Sequence, residues 1–309
     1  MKRKDLLDLQ SLTPAELRQL LDLTHTVKRE PERYRQALTG KNLALIFQKA
    51  STRTRVSFEV GMVQLGGHAL VLPAQELQLG RGESIEDTAA VLSRYVDGIM
   101  ARVHAHRDLI TLARHATVPV INGLSDLTHP CQAICDYFTI EERLGHLAGV
   151  RVAYVGDGNN VAHALAAGAA KLGVELTIAT PPGYAPNPSS IAQAQSEAAT
   201  TGARITVSHD PYQAVRGAQV VYTDVWTSMG QEQEREQRLR DFAAFRVDAI
   251  LFAAAQSDAL FMHCLPAHRG EEVTSEVADH PRSIIFDQAE NRLHSQKALL
   301  LTLLQTSRA

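Results

Sequence analysis

The 309-residue sequence predicts an α/β protein of two domains, each a parallel sheet flanked by helices, with a C-terminal helix packing across them. Three observations lead there. Short apolar runs of strand length alternate with helical stretches, the rhythm of a parallel sheet covered on both faces. A second alternating series begins near position 150, and a hydrophobic content of 45% is enough for two cores of ordinary size.

The elements follow in order. "SLTPAELRQLLDLTHTVKRE" opens with a Thr13 cap, Pro14 at the first helical position and Glu16 in the first turn, then apolar residues at helical spacing, so it predicts a helix. "KNLALIFQ" reads as a buried strand, with Ser51 to Arg55 at its exit and "VSFEVGMVQLGG" as the following helix. "HALVLP", "VDGIMARV" and "VPVINGL" repeat the theme. In the second half "VRVAYVGDGNNVAHALAAGAAKLG" is strand, turn and helix, "VELTIATPPG" is the next strand, and "AQVVYTDVW", "ALFMHCLP" and "SIIFDQ" supply three more. "EERLGHLAGV" marks the boundary, giving domains of 1–145 and 146–289, and the final helix, about 290–309 ("NRLHSQKALLLTLLQT"), packs back on the first.

Composition removes several classes of function. A net charge of −3 offers no field to attract nucleic acid or an anionic membrane. Three cysteines are too few for a disulfide framework and fit free thiols in a reducing cytoplasm. The basic start "MKRKDLLDLQ" is interrupted by acids before any signal-length apolar core, and no later run reaches membrane-spanning length, which argues against secretion and membrane insertion.

The chemistry-bearing residues fall at strand exits. "STRTR", residues 51–55, puts hydroxyls and guanidinium groups at a helix N-terminus, where unpaired backbone N–H groups favour a phosphate or carboxylate; simple capping with solvated arginines is the alternative. No Walker-type Gly-Lys-Ser/Thr ending is present. "DLTHPCQAICDYF" places His129 and Gln132 where a histidine can donate to a carbonyl oxygen gaining charge, unless His129 is a satisfied core residue. Cys131, Cys135 and His129 lack the further soft ligands that a metal centre needs, and the His104/His106 pair beside Arg102 lacks a third ligand. "VGDGNNVA" has Val161 where a dinucleotide fingerprint has its third glycine, and the next strand has no terminal acid for a ribose, so NAD is rejected. Asn159 and Asn160 remain as turn residues or as ligands for an amino acid. In "TDVWTSMGQE" Asp224 can pair with an amine and the Ser-Met-Gly segment can close over a ligand; in "MHCLPAHRG" Cys264 is a thiol at another strand exit or a small apolar residue.

Taken in order, "STRTR", "ARVHAH", "HPCQ", "DGNN", "DVWTSMGQE", "HCLP" and "AENR" resemble the aspartate/ornithine carbamoyltransferase family over essentially the whole chain, on its ornithine rather than its aspartate branch. The resemblance implies transfer of a carbamoyl group from carbamoyl phosphate to the side-chain amine of L-ornithine, giving L-citrulline and phosphate in arginine biosynthesis. It implies no cofactor or metal, and a homotrimer with the site in the interdomain cleft, completed by a neighbouring subunit. Ser51, Thr52, Arg53 and Thr54 would hold the phosphate with Arg102 and, from an adjacent subunit, Gln78. Arg102 and His129 would polarise the carbamoyl oxygen and Gln132 would fix its amide. Asn160 and Ser228-Met229 would bind the α-carboxylate and α-amino groups of ornithine, and Asp224 and Cys264 would steer its side-chain amine. Cys264, the backbone around Leu265 and Arg292 would complete the carbamoyl pocket. A transferase for another amine, such as N-acetylornithine or putrescine, and a catalytically silent amino-acid-binding relative are the alternatives.

Overall fold

The computed structural model describes residues 5–78, 82–228 and 230–305. The chain divides into two compact units, Met1–Phe138 with Glu290–Ala309, and Thr139–Ala289.

The first unit opens with α1 (Pro14–Arg29), which starts where the sequence places it. The Thr13 hydroxyl accepts from the Glu16 N–H while the Glu16 carboxylate accepts from the Thr13 N–H, and Leu17, Leu20, Leu21 and Val27 go into the core. Then come β1 (Asn42–Phe47), α2 (Thr52–Gln64), β2 (His68–Pro73), α3 (Ile85–Leu92), β3 (Gly98–Arg102), α4 (His106–His115), β4 (Val120–Leu124) and α5 (Pro130–Leu144). The four strands pair in parallel in the order β2-β1-β3-β4. Central β1 is buried from Leu43 to Phe47, which accounts for its uninterrupted apolar run. Chain progression reverses between β1 and β3, and at such a switch point the loops leaving the two strands part and leave a crevice. Ser51 follows β1, Arg102 ends β3 and His129 follows β4, all at the carboxyl edge of the sheet.

The second unit runs β5 (Arg151–Val155), α6 (Asn160–Leu172), β6 (Glu175–Ala179), α7 (Pro188–Ala198), β7 (Arg204–Ser208), α8 (Pro211–Val215), β8 (Val220–Thr223), α9 (Arg235–Asp241), α10 (Ala249–Ala253), β9 (Leu260–His263) and α11 (Ser275–Ala278). Its sheet is parallel in the order β7-β6-β5-β8-β9, with the reversal between β5 and β8. Residues from Asp157 to Asn160 leave β5, Asp224 leaves β8 and Cys264 leaves β9. The last helix, α12 (Ile285–Leu304), belongs to the first unit from Glu290 onward.

Two sequence expectations need correction. "SIIFDQ" is not a strand: Ser283 forms a single bridge with Phe261, the Ile284 N–H donates to the Phe261 carbonyl, and α12 begins at Ile285. A three-residue apolar run is ambiguous by periodicity, and Asp287 in the first turn favours the helix. Conversely, β7 was not anticipated; it is an edge strand in which only Ile205 is fully covered, so its apolar signal is thin. Among the described residues no helix is long and apolar enough to cross a membrane.

Candidate active site

In the first unit the Ser51 hydroxyl accepts from the Thr54 N–H at 3.3 Å and caps α2, so the "STRTR" stretch spans a helix N-terminus and its positive end. Thr54 is buried, Ser51 and Arg53 are half-buried, and Thr52 is exposed. Arg292, from α12, is the hub: one guanidinium nitrogen donates to Gln132 Oε1 at 2.7 Å and the other to Thr54 Oγ1 at 3.2 Å. Gln132 Nε2 in turn donates to Asp136 Oδ1 at 2.8 Å, fixing which end of the amide faces Arg292. The Arg102 side chain is buried at the end of β3. Burial, followed by the charges of Arg292, Arg102 and Arg53, holds His129 well below the usual histidine range, so its imidazole is neutral at pH 7. A neutral ring donates from one nitrogen only, which suits it to polarise a carbonyl without adding a fourth cation. His129 Nδ1 and Arg292 Nε are buried without a hydrogen-bond partner among the described residues, the pattern expected of groups kept for a ligand.

Cys131 is a core thiol: it donates to the Asn122 carbonyl at 3.3 Å, and burial pushes it up to about 12. Gln78 is exposed after β2, and its side chain makes no hydrogen bond to this cluster among the described residues.

The second unit builds its cluster around Asp224, buried just past β8. Its carboxylate accepts from Cys264 Sγ at 3.0 Å, from Asn159 Nδ2 at 2.9 Å and from the Val225 N–H at 2.8 Å. Asn159 is therefore a scaffold residue rather than an amino-acid ligand, since its Oδ1 caps α6 at the Val161 and Ala162 N–H groups while its amide holds Asp224. Asn160 and Ser228 are half-buried, and Met229 lies outside the described residues. A Cβ on Gly158 would stand 2.2 Å from the Pro186 nitrogen, so the turn that carries these asparagines accepts only glycine there.

Sequence reasoning missed Asp157 and Arg238. Arg238 is buried, lies 5.0 Å from the Tyr184 ring centroid, meets the Asp157 carboxylate at 3.2 Å and donates to the Trp226 carbonyl at 2.9 Å. It thereby ties the loop leading to Ser228 to the turn after β5. Burial raises Asp157 to about 6, with Arg238 opposing the rise. The "VGDG" turn was visible in the sequence, but no local signal names a partner on a distant helix.

Leu265 has φ +60°, a left-handed conformation uncommon for a branched side chain. Its N–H donates to His263 Nδ1 at 2.9 Å, and His263 Nε2 faces Glu272 Oε1 at 3.1 Å. Strained backbone of this kind persists where surroundings over-determine it, commonly at functional sites. Asp224, His263 and Cys264 offer ligand atoms within 4.8 Å of one another, but both His263 ring nitrogens are already engaged, so the trio is not a ready metal centre.

The first unit thus offers cations and donors that suit an anion, and the second a buried carboxylate that suits an amine. Residues 4–142 match the family described as aspartate/ornithine carbamoyltransferase, carbamoyl-P binding domain, and residues 148–303 match its Asp/Orn binding domain. Among curated proteins, an ornithine carbamoyltransferase of Pyrococcus horikoshii is 56% identical over 306 residues, covering 98% of this chain and 96% of the relative. An anabolic ornithine carbamoyltransferase of Pyrococcus furiosus is 57% identical over 299 residues, 96% and 95% of the two chains. The solved ornithine carbamoyltransferase from Pyrococcus furiosus superposes with a TM-score of 0.95 at 56% identity, covering 98% and 97%. Matched along both halves and in three dimensions, this chain belongs to the aspartate/ornithine carbamoyltransferase family.

Proposed function

We propose that the protein transfers the carbamoyl group of carbamoyl phosphate to the side-chain amine of L-ornithine, giving L-citrulline and phosphate. The observation that carries the ornithine half is the Cys264 thiol donating to the buried Asp224 carboxylate. An anionic acceptor beside a polar thiol attracts an amine, and a cationic site would be needed for an acidic side chain instead. The carbamoyl-phosphate half is supported by Arg53, Arg102 and Arg292 around neutral His129.

In this reading Ser51, Thr52, Arg53 and Thr54 take the phosphate at the α2 N-terminus, with Gln78 supplied by a neighbouring copy of a homotrimer. Gln132 receives the carbamoyl NH2, and Leu265 and Arg292 complete the pocket. Asn160, Ser228 and Met229 hold the α-carboxylate and α-amino groups of ornithine. The attacking amine has a pKa near 10 in water, so it must lose a proton before it can attack. Asp224, with Cys264, orients the amine and accepts hydrogen bonds from it. Attack on the carbamoyl carbon places negative charge on the carbamoyl oxygen, where Arg102, His129 and Thr54 donate; one such donor is worth about 3 to 4 kcal/mol. The C–O bond to phosphate then breaks, and phosphate leaves into a cradle of cations already oriented for it. Because the leaving group is preactivated, the proposal requires no cofactor.

The relative named as anabolic supports a biosynthetic direction, and three free cysteines fit a reducing cytoplasm. The test is a steady-state assay with carbamoyl phosphate and, in parallel, ornithine, N-acetylornithine, putrescine and aspartate, scoring phosphate and the carbamoylated product. Citrulline from ornithine alone is expected. Turnover only with another amine overturns the ornithine half, and no turnover with any of them overturns the proposal in favour of a binding protein.

A further inference from the structure

Past β9 the chain makes a tight turn through Gly270 (φ +93°), with the Gly270 N–H donating to the Val273 carbonyl at 2.8 Å and the Glu271 N–H to the His268 carbonyl at 2.9 Å. The turn brings His268 Nδ1 to 3.8 Å from Glu271 Oε2 and 3.9 Å from Glu272 Oε2, and the three ligand atoms all lie within 4.8 Å of one another. Glu272 is 0% exposed. Its Oε1 accepts from His263 Nε2 and from the His268 N–H, whereas Oε2, turned toward the His268 ring, is buried without a hydrogen-bond partner among the described residues. A buried carboxylate oxygen left unsatisfied calls for an explanation, and a bound cation is the simplest one.

We propose that His268, Glu271 and Glu272 form a binding site for a divalent transition-metal ion. One imidazole nitrogen and two carboxylate oxygens suit zinc, cobalt or nickel better than calcium or magnesium, which favour all-oxygen shells. Ligand atoms about 2.1 Å from a tetrahedral ion stand roughly 3.4 Å apart. His268 Nδ1, at 3.8 and 3.9 Å from the two carboxylate oxygens, is only slightly beyond that spacing, and its exposed ring can rotate toward them. Those carboxylates have the outer partners that metal ligands commonly have: His263 on Glu272 and Arg235 on Glu271. The Asp224-His263-Cys264 trio lacks this readiness, because His263 must first give up a hydrogen bond. An ion at His268 would also stiffen the strut that runs from Glu272 through His263 to the left-handed Leu265.

The experiment titrates Co²⁺ into the chelator-treated full-length protein, followed by calorimetry and by absorption, for the wild type and for His268→Ala, Glu271→Gln and Cys264→Ser. One ion per chain is expected, with visible d–d bands and no thiolate-to-cobalt charge-transfer band. Affinity should fall tenfold or more in His268→Ala and Glu271→Gln and hold in Cys264→Ser, and Co²⁺ should raise the melting temperature of the wild type and of Cys264→Ser but much less that of the two loop variants. Unchanged affinity in both loop variants overturns the proposal, as does a charge-transfer band that disappears in Cys264→Ser. Absence of saturable binding also overturns it and leaves His268 as an ion-pair partner of the two glutamates. Circular dichroism of the metal-free variants checks that each is folded, and the nearly isosteric Glu271→Gln keeps the test decisive if His268→Ala is not.

Discussion

At the carboxyl edge of its sheet the first unit gathers Arg53, Arg102 and Arg292 around a neutral histidine, while the second gathers Asp157 and Asp224 with a thiol and a single buried arginine. Both sheets are parallel, and both clusters flank the strand pair where the order reverses, β1/β3 in one and β5/β8 in the other. The placement is the same and the charge is opposite. Fold therefore decides where polar side chains can converge, and only the residues at those exits decide what they attract: in the proposed function, a phosphorylated acyl group in one unit and an amine in the other. A near-neutral chain can carry both because each field is local and enclosed.

Removing Arg102 should break the cationic side most severely. Arg102→Ala is expected to lower kcat by roughly 10²–10³, as loss of a preorganised donor does, while the melting temperature moves little. Steady-state kinetics and thermal melting on one preparation decide it, and near-normal turnover would remove Arg102 from the reaction. Asp224→Asn tests the anionic side: kcat/KM for ornithine should fall about 10²-fold, with KM for carbamoyl phosphate nearly unchanged. Equal loss toward both substrates would erase the division between the units.

Acidity sharpens the comparison further. His129 is held well below the usual histidine range, so it has no proton to lose between pH 6 and 8. Turnover should still rise across that window, by up to about tenfold per unit, because the neutral fraction of an amine with a pKa near 10 does. A flat profile would deny amine deprotonation a kinetic role. The smallest effect concerns stability. Asp157 binds its proton more tightly in the folded chain, at about 6 against 3.8. The stability this contributes is complete below pH 3.8 and is lost as pH rises through 6, an amplitude of about 3 kcal/mol at most. Chemical denaturation at pH 4 and 7 should show that difference in the wild type and lose it in Asp157→Asn; an identical pH dependence in both would mean that Asp157 is not perturbed.

Much of this was legible in the sequence because it is local. The Thr13–Glu16 capping box, the continuous apolar run of β1, the Ser51 cap and the cationic "STRTR" exit all sit within a few residues of one another. What escaped depends on distant partners or weak burial. Edge strand β7 covers only Ile205, so its period is faint, and "SIIFDQ" is apolar in a way that serves a helix start as well as a strand. Asn159 and Asn160 looked equivalent as neighbours, yet the backbone spends the first on a cap and on Asp224. In sequence Arg238 is one charge among many in "QEQEREQRLR", and only the fold brings Tyr184, Asp157 and the Trp226 carbonyl around it.

Arg292 stands near the end of the chain yet bonds Thr54 and Gln132, and the helix that carries it buries Leu299, Leu300, Leu303 and Leu304. During synthesis, then, the unit whose sheet emerges first from the ribosome is the last to be completed. It waits with an open apolar seam and a loose Gln132 amide until the second unit has been made and the final helix is released. A chain cut just after Ala289 would keep the later unit whole and leave the earlier one without Arg292 and the leucines that follow it.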